Sequence, residues 1–159
     1  MGVHITGHRA GFAPGITRVT GLDDETGIEF GVLRLSAGAA EEMRTTHETA
    51  LLLMSGSATL TLGNRTTEIA RASLFDESPS CAHLPADGTI RISARTDCEF
   101  TVYRSANRKP FAAKLFLHQD LIIQNILCGR NAACWLKANT DARALMILTN
   151  HPEHDERHR

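Results

Sequence analysis

The sequence predicts an all-β domain, a sandwich or barrel of short strands. Three observations carry this reading. Apolar and polar residues alternate with period two in several stretches, turn signals separate those stretches about every ten residues, and helical periodicity is almost absent before residue 110. Strands that follow one another this closely, without helices between them, bury their apolar faces against one another.

Residues 1–27, rich in Gly and Thr, read as a loop-rich opening with brief strand-like pieces at Val3–Thr6 and Ile16–Val19. Ile28–Leu35 sets Ile28, Phe30 and Val32 on one parity and Gly31, Leu33 and Leu35 on the other, as in a strand covered on both faces. Ser36-Ala37-Gly38 ends it. Glu41–Glu48 is a polar interval, followed by the apolar run Thr49–Met54, which Ser55-Gly56 closes. Ala58–Leu62 alternates again, and Gly63-Asn64 offers a hairpin turn before Thr66–Ala70.

Ser73–Phe100 is dense in punctuation. Ser78-Pro79-Ser80 and Pro85-Ala86-Asp87-Gly88 place chain reversals on either side of Cys81–Leu84. Ile90, Ile92 and Ala94 then share one face against Arg91, Ser93 and Arg95, and Cys98, Phe100 and Val102 repeat the pattern against Glu99, Thr101 and Tyr103. With Arg95-Thr96-Asp97 between them, these read as two adjacent antiparallel strands. Leu53 and Phe100 are the expected centre of the core. After Pro110 the texture changes: His118-Gln119-Asp120 resembles a helix start, and Leu121, Ile122, Asn125 and Ile126 recur at helical spacing, so a short amphipathic helix is expected there. Ala132–Thr149 fits a helix capped by Asp141 or a strand at Ala144–Leu148. The division predicted is a barrel over 1–120 and a C-terminal segment with a charged tail over 121–159. The closing HPEHDERHR has no apolar face and is expected to add nothing to stability.

A chain of 159 residues is the size of one domain and buries a substantial core without staples. Its formal charge of −1, with dispersed basic residues, argues against a nucleic-acid surface. No apolar run approaches the roughly 20 residues that cross a bilayer, and the N-terminus lacks the apolar core of a secretory signal, so a soluble, cytoplasmic protein is expected. In that setting the four cysteines, Cys81, Cys98, Cys128 and Cys134, are expected to be reduced and to pack as small hydrophobes.

Two places could carry chemistry. His47-Glu48, just before an apolar run, is the first point where a metal or acid–base site could be built, although one histidine and one carboxylate fall short of a ligand set; a turn histidine beside a solvated glutamate is the plainer alternative. His83 stands at a plausible rim position, or is a hydrogen-bonded structural histidine. A zinc-bound module using Cys128, Cys134, His151 and His154 is a further possibility, at a cysteine spacing wider than that of common zinc knuckles. No phosphate-binding glycine loop and no nucleophile elbow is present.

Five stretches, GHRAGFAPGITRVT, TGIEFGVLRLSAGA, LLLMSGSATLTLGN, SLFDESPSCAHLPADGTI and ISARTDCEFTVYRSANRKPF, occur in that order over about residues 3–120. Together they resemble the N-terminal half of bacterial 5-deoxy-glucuronate isomerases of inositol catabolism, relatives of the 5-keto-4-deoxyuronate isomerases of pectin breakdown. The resemblance implies a cupin-like jelly-roll barrel. In this family two such barrels share one chain, and a divalent metal is held in the second by a His-rich segment, a following Glu and a later His. Thr45-Thr46-His47-Glu48 lacks the paired His-x-His of metal-binding cupins, and no histidine follows Gly88 in the next strand.

No catalytic, cofactor-binding or metal-binding residue is therefore carried over. The expected product is a truncated, frame-shifted or diverged family member, departing from the pattern at about Ile126, without a metal of its own. Full-length members isomerise a small sugar acid, 5-deoxy-glucuronate to 2-deoxy-5-keto-gluconate. The competing expectation is a catalytically silent single cupin that dimerises or assists a partner through its strand edges.

Overall fold

The computed structural model describes residues 11–107, 109–128, 131–138 and 145–148, with side chains through Asp120. Its strands are β1 (Gly15–Thr20), β2 (Ile28–Leu35), β3 (Ala40–Arg44), β4 (Glu48–Leu62), β5 (Arg65–Arg71), β6 (Cys81–Leu84), β7 (Thr89–Ala94), β8 (Cys98–Ser105), β9 (Lys114–Phe116), β10 (Leu121–Cys128), β11 (Asn131–Ala138) and β12 (Leu145–Leu148). A short 3₁₀ turn, His118–Asp120, separates β9 from β10.

Two antiparallel sheets share β4. The first runs β1-β2-β8-β4-β6-β9, and in the second β7 lies between β3 and β4, with β5 on the other side of β4. The first half of β4 pairs with β8 and β6, the second half with β5 and β7. Thr49–Met54 and Ala58–Leu62, expected as separate strands, are thus one strand, and Ser55-Gly56 is a bend within it rather than its end. The register against β8 slips between Leu53 and Ser55, and Gly56 takes φ 89°. An extra residue and a left-handed glycine are what a strand needs to turn sharply from one sheet into the other.

The buried Arg71 secures this corner. Its Nη1 donates to the Leu53 carbonyl, Nε to Glu77 O and Nη2 to Leu74 O, so the 72–80 connection is fastened to the bend by a charge with several fixed donors.

The inner faces of both sheets form the core: Leu33, Leu51, Leu53, Phe100 and Val102 from the first meet Leu60, Ile69, Ile90 and Ile92 from the second. The alternation in Thr89–Ala94 and Cys98–Val102 is as expected, but the two strands are not neighbours. β7 pairs with β3 and β4, β8 with β2 and β4, and Arg95-Thr96-Asp97 carries the chain across the bend of β4, where the Arg95 and Thr96 amides donate to Ser57 O. Period-two patterning fixes which face is buried, not which strand lies alongside.

Two further expectations are corrected. The polar interval Glu41–Glu48 overlaps β3, an edge strand whose exposed Glu41, Glu42 and Arg44 conceal a single inward residue, Met43. In place of a helix at Leu121–Ile126 the backbone forms β10, paired with β11 and through it with β12 in a separate three-stranded sheet. The apolar spacing suits a helix, yet Ile122, Ile123 and Ile126 are β-branched and a partner strand follows directly. The Val3–Thr6 piece and the HPEHDERHR tail lie outside the described residues. Among the described residues no helix is long and apolar enough to cross a membrane.

Candidate functional site

The inner surface at one end of the sandwich is closed by charge. Glu29, Arg104 and Thr49 stand in one row across β2, β8 and β4. Arg104 Nη1 donates to the Glu29 carboxylate, while Nη2 reaches across to Met43 Sδ of the second sheet at 3.9 Å. Beside them Thr45 Oγ1 donates to Pro85 O at 2.6 Å, tying β3 to the 85–88 turn. Below this row the interior is hydrocarbon.

The outer face of the first sheet is different. Ladder partners share a face, so the register sets out rows: Phe30, Tyr103, Ala50, His83 and Lys114 form one; Val32, Thr101, Leu52, Cys81 and Phe116 the next. Ala50, Leu52 and Cys81, with Met54, Tyr103 and Phe116 against them, make a small second apolar cluster. At its end, where Glu48 stands opposite Ser105, lies a polar group.

Glu48 Oε1 is 2.6 Å from His83 Nε2. Its Oε2 accepts from Asn107 Nδ2 at 2.5 Å and from Ser105 Oγ at 3.4 Å. The His83 ring stacks on Phe111, with centroids 4.4 Å apart and planes at 28°. Side-chain exposures of 26% for His83 and 21% for Glu48 leave the pair reachable from solvent. Burial alone would raise the Glu48 pKa, but the Asn107 amide, His83 and the Ser105 hydroxyl outweigh it and hold the carboxyl below its ordinary 4.5. A carboxylate only accepts hydrogen bonds, so His83 donates from Nε2, and in the neutral ring Nδ1 keeps its lone pair. This is a carboxylate-oriented imidazole, the arrangement that readies a histidine to take or give a proton at its other nitrogen.

The depressed Glu48 pKa gives a pH dependence of known sign. A carboxyl whose folded pKa lies below its unfolded value stabilises the fold above that unfolded value, and the contribution is lost as pH falls through the folded pKa. Wild type should therefore exceed Glu48→Gln in urea stability at pH 7, with the margin shrinking as pH drops below 4.5. An equal margin at pH 3 and pH 7 would show that the charge is not what Asn107 and His83 hold.

The fold redistributes the residues that the sequence singled out. His47 and Glu48 do not act together: His47 Nδ1 lies 3.0 Å from Thr46 Oγ1, whereas Glu48 joins His83. Asn107, Ser105 and Phe111 are not legible as site residues in the sequence, since nothing local marks them and only the β4–β8 register brings Ser105 to Glu48. Cys81 and Cys98 are free and buried, as expected. Burial pushes the Cys81 thiol up to about 12 and raises Cys98 as well, so neither offers a thiolate. The side chains of Cys128 and Cys134, and residues His151, His154 and His158, lie outside the described set.

A sequence model of the KduI/IolB family matches residues 8–133, most of the chain and past Ile126. The chain belongs to the KduI/IolB family. Among solved structures it is similar to an IolB-like protein of Salmonella typhimurium LT2, with TM-score 0.63, 20% identity, and coverage of 79% of this chain and 50% of that one. It therefore spans half the length of that relative. An RmlC-like cupin with a double-stranded β-helix fold from Methanocaldococcus jannaschii is similar at TM-score 0.47 and 14% identity, covering 62% of this chain and 84% of that one. A cupin superfamily protein of Desulfitobacterium hafniense DCB-2 follows at TM-score 0.46 and 12% identity, with 58% and 76% covered. No curated protein matches. The cupin-like jelly roll implied by the family resemblance is the fold observed.

The divalent metal that the resemblance implies finds no cage in the described part. Among the described residues no three His, Cys, Asp or Glu side chains converge. Glu29 is taken by Arg104, Glu48 and His83 engage each other on the opposite face of the same sheet, and the interior below Glu29 is lined by apolar side chains such as Leu33, Ile92 and Phe100. Two mutually paired donors do not hold a divalent cation.

Proposed function

We propose that this chain serves the isomerisation of 5-deoxy-glucuronate to 2-deoxy-5-keto-gluconate in cytoplasmic inositol catabolism, as a cupin barrel without a metal site of its own. The family match over residues 8–133 carries the reading. Moving a proton between adjacent carbons of a sugar acid calls for polarised oxygens and a proton shuttle. Glu48–His83 fits the second requirement, and the apolar interior of this barrel does not fit the first.

The experiment has two arms. The purified chain, supplied with Mn²⁺ or Zn²⁺, should turn over 5-deoxy-glucuronate far more slowly than a two-barrel relative, and a comparable rate would overturn the metal-free assignment. Deleting the gene should impair growth on myo-inositol and spare growth on glucose. Unchanged growth on inositol would overturn the assignment to this reaction.

A further inference from the structure

We propose that the outer face of the first sheet, at His83 and Lys114, is a binding site for a small hydroxy-carboxylate. The observation behind this is a histidine fixed on two sides and left with one nitrogen unused. Glu48 holds Nε2, the Phe111 ring covers one face, and among the described residues Nδ1 has no partner. An imidazole oriented this firmly, with a lone pair directed away from its carboxylate, is an acceptor awaiting a hydroxyl.

Lys114 supplies the complement. It stands directly opposite His83 in the β6–β9 ladder, and ladder partners share a face with Cβ atoms about 5 Å apart. Its side chain is exposed, and among the described residues no carboxylate pairs with it. Glu48, the carboxylate of the cluster, is already occupied by His83, Asn107 and Ser105. A cation with no anion, beside an imidazole with a free acceptor nitrogen, matches a ligand bearing a carboxylate next to a hydroxyl. A sugar acid has both groups within the span of one ladder pair.

The floor is also suited to a small molecule. Ala50 lies between Tyr103 and His83 in the same row, so a methyl group separates two rings. The proposal deepens the sugar-acid reading above and rests on it for the choice of ligand class. It differs in placing the contact on the outside of the barrel rather than in its interior.

The test uses D-glucuronate as probe, titrated into the full chain and followed by calorimetry and by the ring resonances of His83. Saturable binding that shifts those resonances is expected, with D-glucose, which lacks the carboxylate, at least tenfold weaker. Lys114→Met should weaken glucuronate at least tenfold with the far-ultraviolet dichroism unchanged, and His83→Gln should do the same. Lys114 is exposed, so its variant keeps the test decisive even if His83→Gln fails to fold. No saturable binding, equal binding of glucose and glucuronate, or full affinity in Lys114→Met would each overturn the proposal. Glucuronate binding at His83 alongside unimpaired growth of the gene deletion on inositol would sink the pathway assignment alone, whereas impaired growth without such binding would sink only this site.

Discussion

Gly56→Ala should destabilise the domain by roughly 2–6 kcal/mol, combining ~1–3 for a strained positive φ with ~1–3 for overpacking. Gly56 sits at φ 89°, and a Cβ built there would lie 2.2 Å from Asp97 O and 2.8 Å from Cys98 Cα. Those contacts are backbone, so no side chain can swing aside. Nor is the opposing segment free to retreat: Ala37 N–H donates to Asp97 Oδ1 at 2.8 Å, Cys98 is paired with Leu35, and the Arg95 amide donates to Ser57 O at 2.9 Å. Because β4 serves both sheets, a shift at Gly56 disturbs the pairing of each. For a chain of this size each kcal/mol lowers the melting temperature by about 2–4 °C, so a loss on the order of 10 °C is the expected reading. Gly63, also at positive φ but with nothing within 4 Å of an added Cβ, is the control. Gly63→Asn should be nearly neutral, since asparagine adopts left-handed turn conformations. If both variants melt within about 2 °C of wild type, the bend is adaptable and the corner is not fixed as described.

The contrast between those two glycines shows what the sequence disclosed. Gly63-Asn64 between alternating runs is a local signal, and the hairpin it announces is present with Leu62 paired to Arg65. Gly56 is also local punctuation, but whether it ends a strand or bends one depends on Asp97, far along the chain. The same limit governs the site. Alternation in Ile90–Ala94 and Cys98–Val102 showed which residues point inward, since apolar burial is repeated at every second residue. The meeting of Glu48 with His83, 35 residues on, and with Asn107, 59 residues on, depends on the relative register of β4, β6 and β8. A register is a property of paired strands, set jointly by core packing and turn geometry, and no single stretch states it. The expected helix at Leu121–Ile126 failed for a related reason: apolar spacing over a short window fits both periods, and the presence of a pairing partner decides between them.

Phe100→Ala should cost about 3–5 kcal/mol, the range for truncating a buried aromatic. Phe100 is 1% exposed, and Leu33 and Leu53, its ladder partners on either side, are wholly buried. Those three side chains form one row at the middle of the first sheet, facing the Ile90 and Ile92 side of the core. Removing the ring takes away its burial and leaves a void that two sheets, joined through β4, cannot easily collapse to fill, because interiors are packed at crystal-like density. Phe75→Ala is the matched control: the same chemical deletion at a ring 92% exposed on the 72–80 connection should shift stability by no more than about 0.5 kcal/mol. Urea unfolding of the two variants, read at a common m-value, measures the difference directly. Similar losses for both would mean that Phe75 is covered in solution by something outside the described residues. Tolerance of Phe100→Ala would mean that the two sheets do not share one core.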